Sequence, residues 1–165
     1  HGVLEGEQQV AFLHQLALGH GQGRHGTTGF GGQAGQLIFG LDAAQRLGVD
    51  PEAVQACLAT RERLGSTGFG NGVAIPHGKL AGLKGVYAMV ARLVEPVDYK
   101  SVDEAPVDIV FLMLSPPDAG AEHLKALAAI SRVVRNAATL EKLRGARSRD
   151  AFAAVLIGAD ERDAA

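Results

Sequence analysis

Two histidines, one arginine and a glycine-rich stretch carry the chemistry available to this chain. Gly65-Ser66-Thr67-Gly68-Phe69-Gly70-Asn71-Gly72 runs into Val73-Ala74-Ile75 and then Pro76-His77. Glycine loses the most backbone freedom on folding, so a dense run marks a plain loop or a backbone that must approach something closely. Pro76 fixes its own φ and pushes Ile75 toward extended geometry. A short strand over Val73–Ile75 would therefore deliver His77 at its end, the place where α/β folds bind ligands. An unperturbed imidazole is largely neutral near pH 7, and its bare nitrogen is a nucleophile. Ser66, Thr67, Asn71 and the main-chain N–H groups around Gly68 are donors of the kind that line anion-binding concavities without a metal. The spacing is neither that of a P-loop nor G-x-G-x-x-G, and a surface histidine behind an ordinary glycine loop fits it equally well.

The other polar candidates are less specific. Arg61 ends the preceding helical stretch, where arginines commonly satisfy the helix dipole; its planar cation also suits a phosphate. His123 falls in the first turn of a helix and shares a stripe with Leu127, Ile130 and Val134, which fits a satisfied core histidine first and an anion-site histidine second. Glu122 and Lys125 read as solvated helix residues, and Cys57 as packing. A metal held by two histidines would want a third ligand that the pattern does not offer.

The elements that must hold these residues follow from periodicity. Asp50-Pro51 starts a helix over 51–64, with Asp50 as N-cap and Val54, Cys57, Leu58 and Leu64 as its apolar face. A shorter helix is expected over 42–47. Strands are expected over 73–75, 86–94 and 107–114, the last nearly continuous apolar text, as in a strand buried on both faces. Helix is expected over 122–136 with Leu124, Leu127, Ile130, Val133 and Val134 inward, and again over 138–143 and 150–156. Alternating strands and helices predict a single α/β domain: a mixed sheet with helices on both faces, three layers in all.

Composition narrows the partners. The chain has 165 residues, 47% hydrophobic and 21% charged, with net charge -2. That excludes a global basic field for nucleic acid. One cysteine excludes an intrachain disulfide and a multi-cysteine zinc site, and suits a reducing cytoplasm. No apolar run reaches the ~20 residues of a membrane helix, and no signal peptide is visible.

Two long stretches resemble one family. Arg61–Leu80, RERLGSTGFGNGVAIPHGKL, resembles the phosphorylation-site signature of enzyme IIA domains of the bacterial phosphotransferase system, fructose/mannitol class. Pro106–Asn136, PVDIVFLMLSPPDAGAEHLKALAAISRVVRN, resembles the second signature of that family. The wording of residues 64–80 and 96–111 is most similar to the nitrogen-regulatory branch. The resemblance covers about Leu41 to Leu156. It implies that His77 accepts a phosphoryl group from a phosphohistidine carrier protein, that His123 supports the group and that Arg61 stabilises its charge. Ser66, Thr67, Gly68 and Asn71 lie in the matching loop. It implies a cytoplasmic phosphocarrier rather than a turnover enzyme, with no metal, no cofactor and no insertion into a membrane. Its partners would be the carrier and either regulatory target proteins or, in a sugar transporter, enzyme IIB. A docking rim of Phe69, Val73 and Leu80 is expected from their position alone.

The opening residues depart from the family. Residues 1–36 hold ten of the 22 glycines and four of the six histidines, with one short helix expected over 10–18. An atypical segment over 1–40 is expected, from a frame or start-site discrepancy or a lineage-specific insertion, followed by the enzyme IIA-type domain over 41–157 and a frayed tail over 158–165. Gly26–Gly31 echoes Gly65–Gly70 without a following Pro-His, which is composition rather than a repeat.

Overall fold

The computed structural model describes residues 40–41 and 43–163. Of the atypical segment expected over 1–40, residues 1–39, with the helix expected at 10–18, lie outside them. Residues 43–47 are helical, as expected. Asp50 then caps α1 (Pro51–Arg63): its Oδ1 accepts the Glu52 N–H at 3.1 Å, and Pro51 fills the first position, where no N–H is needed. Two strands not anticipated from the sequence flank the expected one. They are β1 (Gly68–Gly70) and β3 (His77–Lys79), on either side of β2 (Val73–Ala74).

The proline explains the split. Pro76 has no N–H for the ladder, so the strand breaks between Ala74 and His77. Its carbonyl still accepts from Met113 N at 2.9 Å. The register against β5 (Val107–Ser115) is the same on both sides of the break: Val73 faces Ile109 and His77 faces Met113. β2 and β3 run parallel to β5, while β4 (Tyr87–Val97) pairs antiparallel on its other side. β1 folds back antiparallel on β2 through the Asn71-Gly72 turn, where both residues take positive φ (56° and 76°). The sheet is mixed, as expected.

β5 alternates between two cores, because successive side chains point to opposite faces. Ile109, Phe111 and Met113 pack with α2 (Gly120–Arg135), α3 (Ala137–Gly145) and α4 (Arg149–Asp163). Val110, Leu112 and Leu114 pack with Val54 and Leu58 of α1. Each such side chain contributes about 1.5–3 kcal/mol of apolar burial. Three layers result, with β5 in the middle. Three details differ from expectation. Leu64, expected on the apolar face of α1, is its C-cap, beyond the last helical turn, and is 82% exposed. Leu124 is 67% exposed rather than inward, since it sits a third of a turn off the stripe of His123, Ala126, Ile130, Val133 and Val134. Residues 158–163, expected as frayed tail, continue α4.

Candidate functional site

His77 sits at the start of β3, half-buried, and both of its ring nitrogens are engaged. Nδ1 lies 2.7 Å from the Ile75 carbonyl, which only accepts, so Nδ1 carries the hydrogen. Nε2 lies 3.1 Å from Arg61 Nε, which only donates, so Nε2 holds the lone pair. The tautomer is thereby set, and the lone pair is directed at a cation. Burial, above all, holds His77 below the ordinary histidine pKa of 6.5; the Ile75 carbonyl opposes that and the Arg61 charge adds to it. The ring is therefore neutral near pH 7.

The surrounding groups arrive from all three layers. Arg61, on the last turn of α1, also donates from Nη1 to the Gly65 carbonyl at 2.9 Å. Both partners are neutral, and among the described residues Arg61 forms no ion pair. From the opposite layer His123, buried in the first turn of α2, places its ring centroid 5.8 Å from that of His77 at an angle of 58°. His123 Nδ1 is 2.6 Å from Ser115 Oγ at the end of β5. Burial lowers the pKa of His123, and the nearby His77 and Lys79 lower it further. Lys79, two residues along β3 from His77, donates to the Pro117 carbonyl at 3.4 Å. The end of β3 is thus ringed by donors and cations around one nucleophilic nitrogen. Among the described residues, no group of three or more His, Cys, Asp or Glu is placed to hold a metal ion.

The glycine loop has a different part from the one its donors suggest. Glu62, beside Arg61 on α1, accepts from the Thr67 N–H at 3.0 Å and from its hydroxyl, and Thr67 is buried. Ser66 Oγ accepts the Gly68 N–H at 3.1 Å and donates to the Tyr99 carbonyl at 3.3 Å. A Cβ on Gly68 would collide with Ser101, so glycine is required for the segment around Tyr99 and Ser101 to lie against the loop. Asn71 gives its N–H to Asp103 at 2.8 Å and its carbonyl to Arg144, at the turn near the start of β5. The structure brings Arg61, His77 and His123 together; the described donors of Ser66, Thr67 and Gly68 are engaged by α1, by the loop itself and by the Tyr99 segment, and Asn71 lies at the turn by the start of β5, away from the three. Gly78 is a second close approach: a Cβ there would strike Cys57 of α1, whose Sγ donates to the Lys79 carbonyl at 3.1 Å. Cys57 packs, as expected, and burial raises its pKa.

Three participants were not singled out from the sequence: Glu62, Lys79 and Ser115. Lys79 was readable from the alternation of β3, which puts residues 77 and 79 on one face. Glu62 and Ser115 act through chain segments that meet only in the fold. Of the expected rim, Val73 (0% exposed) and Leu80 (8%) belong to the core. Only Phe69 is partly exposed, packed against one core cluster. The exposed apolar residues next to site residues are Leu64, three positions from Arg61, and Leu124, beside His123.

The resemblance grouped His77, Arg61 and His123, and these three lie side by side. The family described as phosphoenolpyruvate-dependent sugar phosphotransferase system, EIIA 2 matches residues 38–158. The chain belongs to this family. Over 114 residues it is 49% identical to a nitrogen regulatory protein of Bradyrhizobium diazoefficiens, covering 69% of this chain and 74% of that one. The crystal structure of nitrogen regulatory protein IIA-Ntr from Neisseria meningitidis superposes with a TM-score of 0.72 at 33% identity, over 79% of this chain and 89% of that one. IIA mannitol from Escherichia coli shares the fold, with a TM-score of 0.63 at 20% identity, over 79% and 92% of the two chains. Among the described residues of this enzyme IIA-family chain, no helix is long and apolar enough to cross a membrane.

Proposed function

We propose that the chain is a regulatory phosphocarrier of the nitrogen branch, which takes a phosphoryl group onto His77 Nε2 and governs target proteins by its phosphorylation state. The observation that carries this is the pairing of His77 with Arg61: a neutral imidazole whose only bare nitrogen is addressed by an arginine that forms no ion pair among the described residues. The donor is a phosphohistidine on a carrier protein. The Nε2 lone pair attacks phosphorus, the donor's N–P bond breaks, and its electron pair returns to the donor nitrogen. His77 keeps its Nδ1 hydrogen on Ile75 throughout, so the ring does not turn.

The transition state of such a transfer is loose and in line, with charge on the equatorial oxygens, so catalysis is mainly positioning and electrostatics. Once Nε2 is bonded to phosphorus it no longer accepts from Arg61. The guanidinium then turns its N–H groups to the phosphoryl oxygens, while Nη1 stays tethered at Gly65. His123 faces the same group from α2, and Lys79 lends charge from β3. Ser66, Thr67 and Gly68 hold the wall beside Arg61 and His77, while Asn71 fixes the turn at the other end of β5. Leu64 and Leu124 flank the site as apolar contacts for the carrier. Sugar transport, with enzyme IIB as acceptor, has less support: a fructose-specific EIIA component of Haloferax volcanii is 34% identical and the mannitol protein shares the fold, whereas the identity to the Bradyrhizobium diazoefficiens nitrogen regulatory protein is 49%.

The test is reconstituted transfer from labelled phosphoenolpyruvate through the general phosphotransferase enzyme and a carrier protein. Acid-labile label is expected on the wild type and none on His77→Ala. Label on the folded His77→Ala variant, or none on the folded wild type, overturns the proposal.

A further inference from the structure

Ser115 is the last residue of β5, is fully buried, and gives its hydroxyl to one partner among the described residues, His123 Nδ1 at 2.6 Å. Its main chain is used in the sheet: the carbonyl accepts the Leu80 N–H at 2.8 Å. Nothing in the resemblance pointed to this residue. We propose that Ser115 is a positioning residue for phosphoryl transfer, which holds the His123 ring and sets its tautomer so that Nε2 carries a hydrogen toward the phosphoryl site. The inference rests on the phosphocarrier function proposed above.

The argument starts from what a hydroxyl can do. It has one hydrogen and two lone pairs, so it can donate to Nδ1 or accept from it. If Ser115 accepts from Nδ1–H, its own hydrogen has no acceptor among the described residues, and a buried unpaired donor is costly. If Ser115 donates to Nδ1, the junction is satisfied and the ring hydrogen must sit on Nε2. Burial keeps His123 neutral in the resting protein, and His77 and Lys79 on β3 act in the same direction. A neutral His123 anchored in this way offers an N–H to an incoming phosphoryl oxygen. The other tautomer would offer a lone pair and repel it. The centroid spacing of 5.8 Å from His77 puts the His123 ring beside any group carried on His77.

The same hydroxyl serves after transfer. A dianionic phosphoryl group raises the proton affinity of a nearby imidazole. When His123 takes up a proton, both ring nitrogens become donors, and Ser115 needs only to rotate its O–H to accept from Nδ1. No heavy atom moves. The ring therefore stays aimed at the phosphoryl group in both protonation states.

Two-bond ¹H–¹⁵N correlation spectra of the full-length unphosphorylated protein, assigned with His123→Gln, read the tautomer directly. The expected result is Nε2–H on His123 of the wild type. Ser115→Ala should lose that preference and slow carrier-dependent phosphorylation about tenfold, the effect of one missing hydrogen bond in the transition state. Ser115→Thr, which keeps the hydroxyl, should restore both. An Nδ1–H tautomer in the wild type overturns the inference without any variant. So does a Ser115→Ala protein with the wild-type tautomer and wild-type rate. Absence of label on a wild type that shows the Nε2–H tautomer would instead remove the phosphocarrier function and leave the tautomer assignment standing.

Discussion

Arg61 and Arg144 stand at opposite ends of β5, and the contrast between them separates function from scaffolding. Arg144, on α3, is neutralised. Its Nε and Nη2 grip Asp108 at 2.8 and 2.9 Å, Nη1 lies 3.3 Å from Glu141, and Nη2 also holds the Asn71 carbonyl. The Asp108 contact, above all, raises its pKa. Among the described residues Arg61 has no such partners; it is spent on the neutral nitrogen of His77 and the neutral carbonyl of Gly65. A positive charge without a counterion, pointed at a nucleophile, is a site prepared for an anion. A positive charge clasped by two carboxylates ties a turn to a helix. The family resemblance marks Arg61 through its motif; the geometry distinguishes the two arginines without it.

The largest expected effect falls on Arg61. Arg61→Ala should slow phosphorylation of His77 by about a hundredfold, the scale of losing a preorganised donor to developing charge. It should leave the unfolding midpoint close to that of the wild type. Equal loss of rate in Arg61→Ala and Arg144→Ala would erase the distinction. Arg144→Ala should do the reverse. Loss of the Asp108 pair and of the Asn71 contact should cost roughly 1–2 kcal/mol in urea unfolding, because one partly buried carboxylate is left unpaired. Its rate per folded molecule should be unchanged.

The pH dependence sharpens the same comparison. His77 and His123 both have folded pKa values below the ordinary 6.5. The unfolded chain therefore binds more protons in the window just below 6.5, and stability must fall as the pH drops through it. Denaturant unfolding at pH 7.5 and 5.5 should show the loss, and His77→Gln should reduce it. No such reduction would mean that the site histidines are not held neutral by the fold. The smallest effect is expected at the rim. Leu124→Ser should change stability by less than about 0.5 kcal/mol, since the side chain is exposed, while raising the carrier concentration needed for half-maximal rate.

Much of the fold could be read from residue pattern. α1 was readable because Asp50-Pro51 is a local start signal, and β5 because a run such as IVFLML has no polar face to give to solvent. β1 and β3 were not: each has three residues, too few for a period, and Gly68-Phe69-Gly70 is strand only because β2 lies beside it. Leu124 was misplaced because a helix stripe read from sequence has a width of one residue either way, and packing decides the edge. The partners of the loop donors were hidden for a related reason. Ser66 and Thr67 are donors by type, but the Tyr99 carbonyl and Glu62 engage them, and Asp103 takes the Asn71 main-chain N–H; those partners are 33, 5 and 32 positions away.

By itself, the sequence determined the candidate histidine, its place directly after Pro76, and the alternation of strands and helices, because these depend on residue type and on neighbours within a few positions. Tertiary structure alone decided which nitrogen of His77 is bare and which of the two arginines is paired with carboxylates. It alone brought a buried serine at the end of β5 to the second histidine. Tautomers and charge balance are set by atoms in contact, and here those atoms come from α1, β3, β5 and α2, segments that only folding brings to one point.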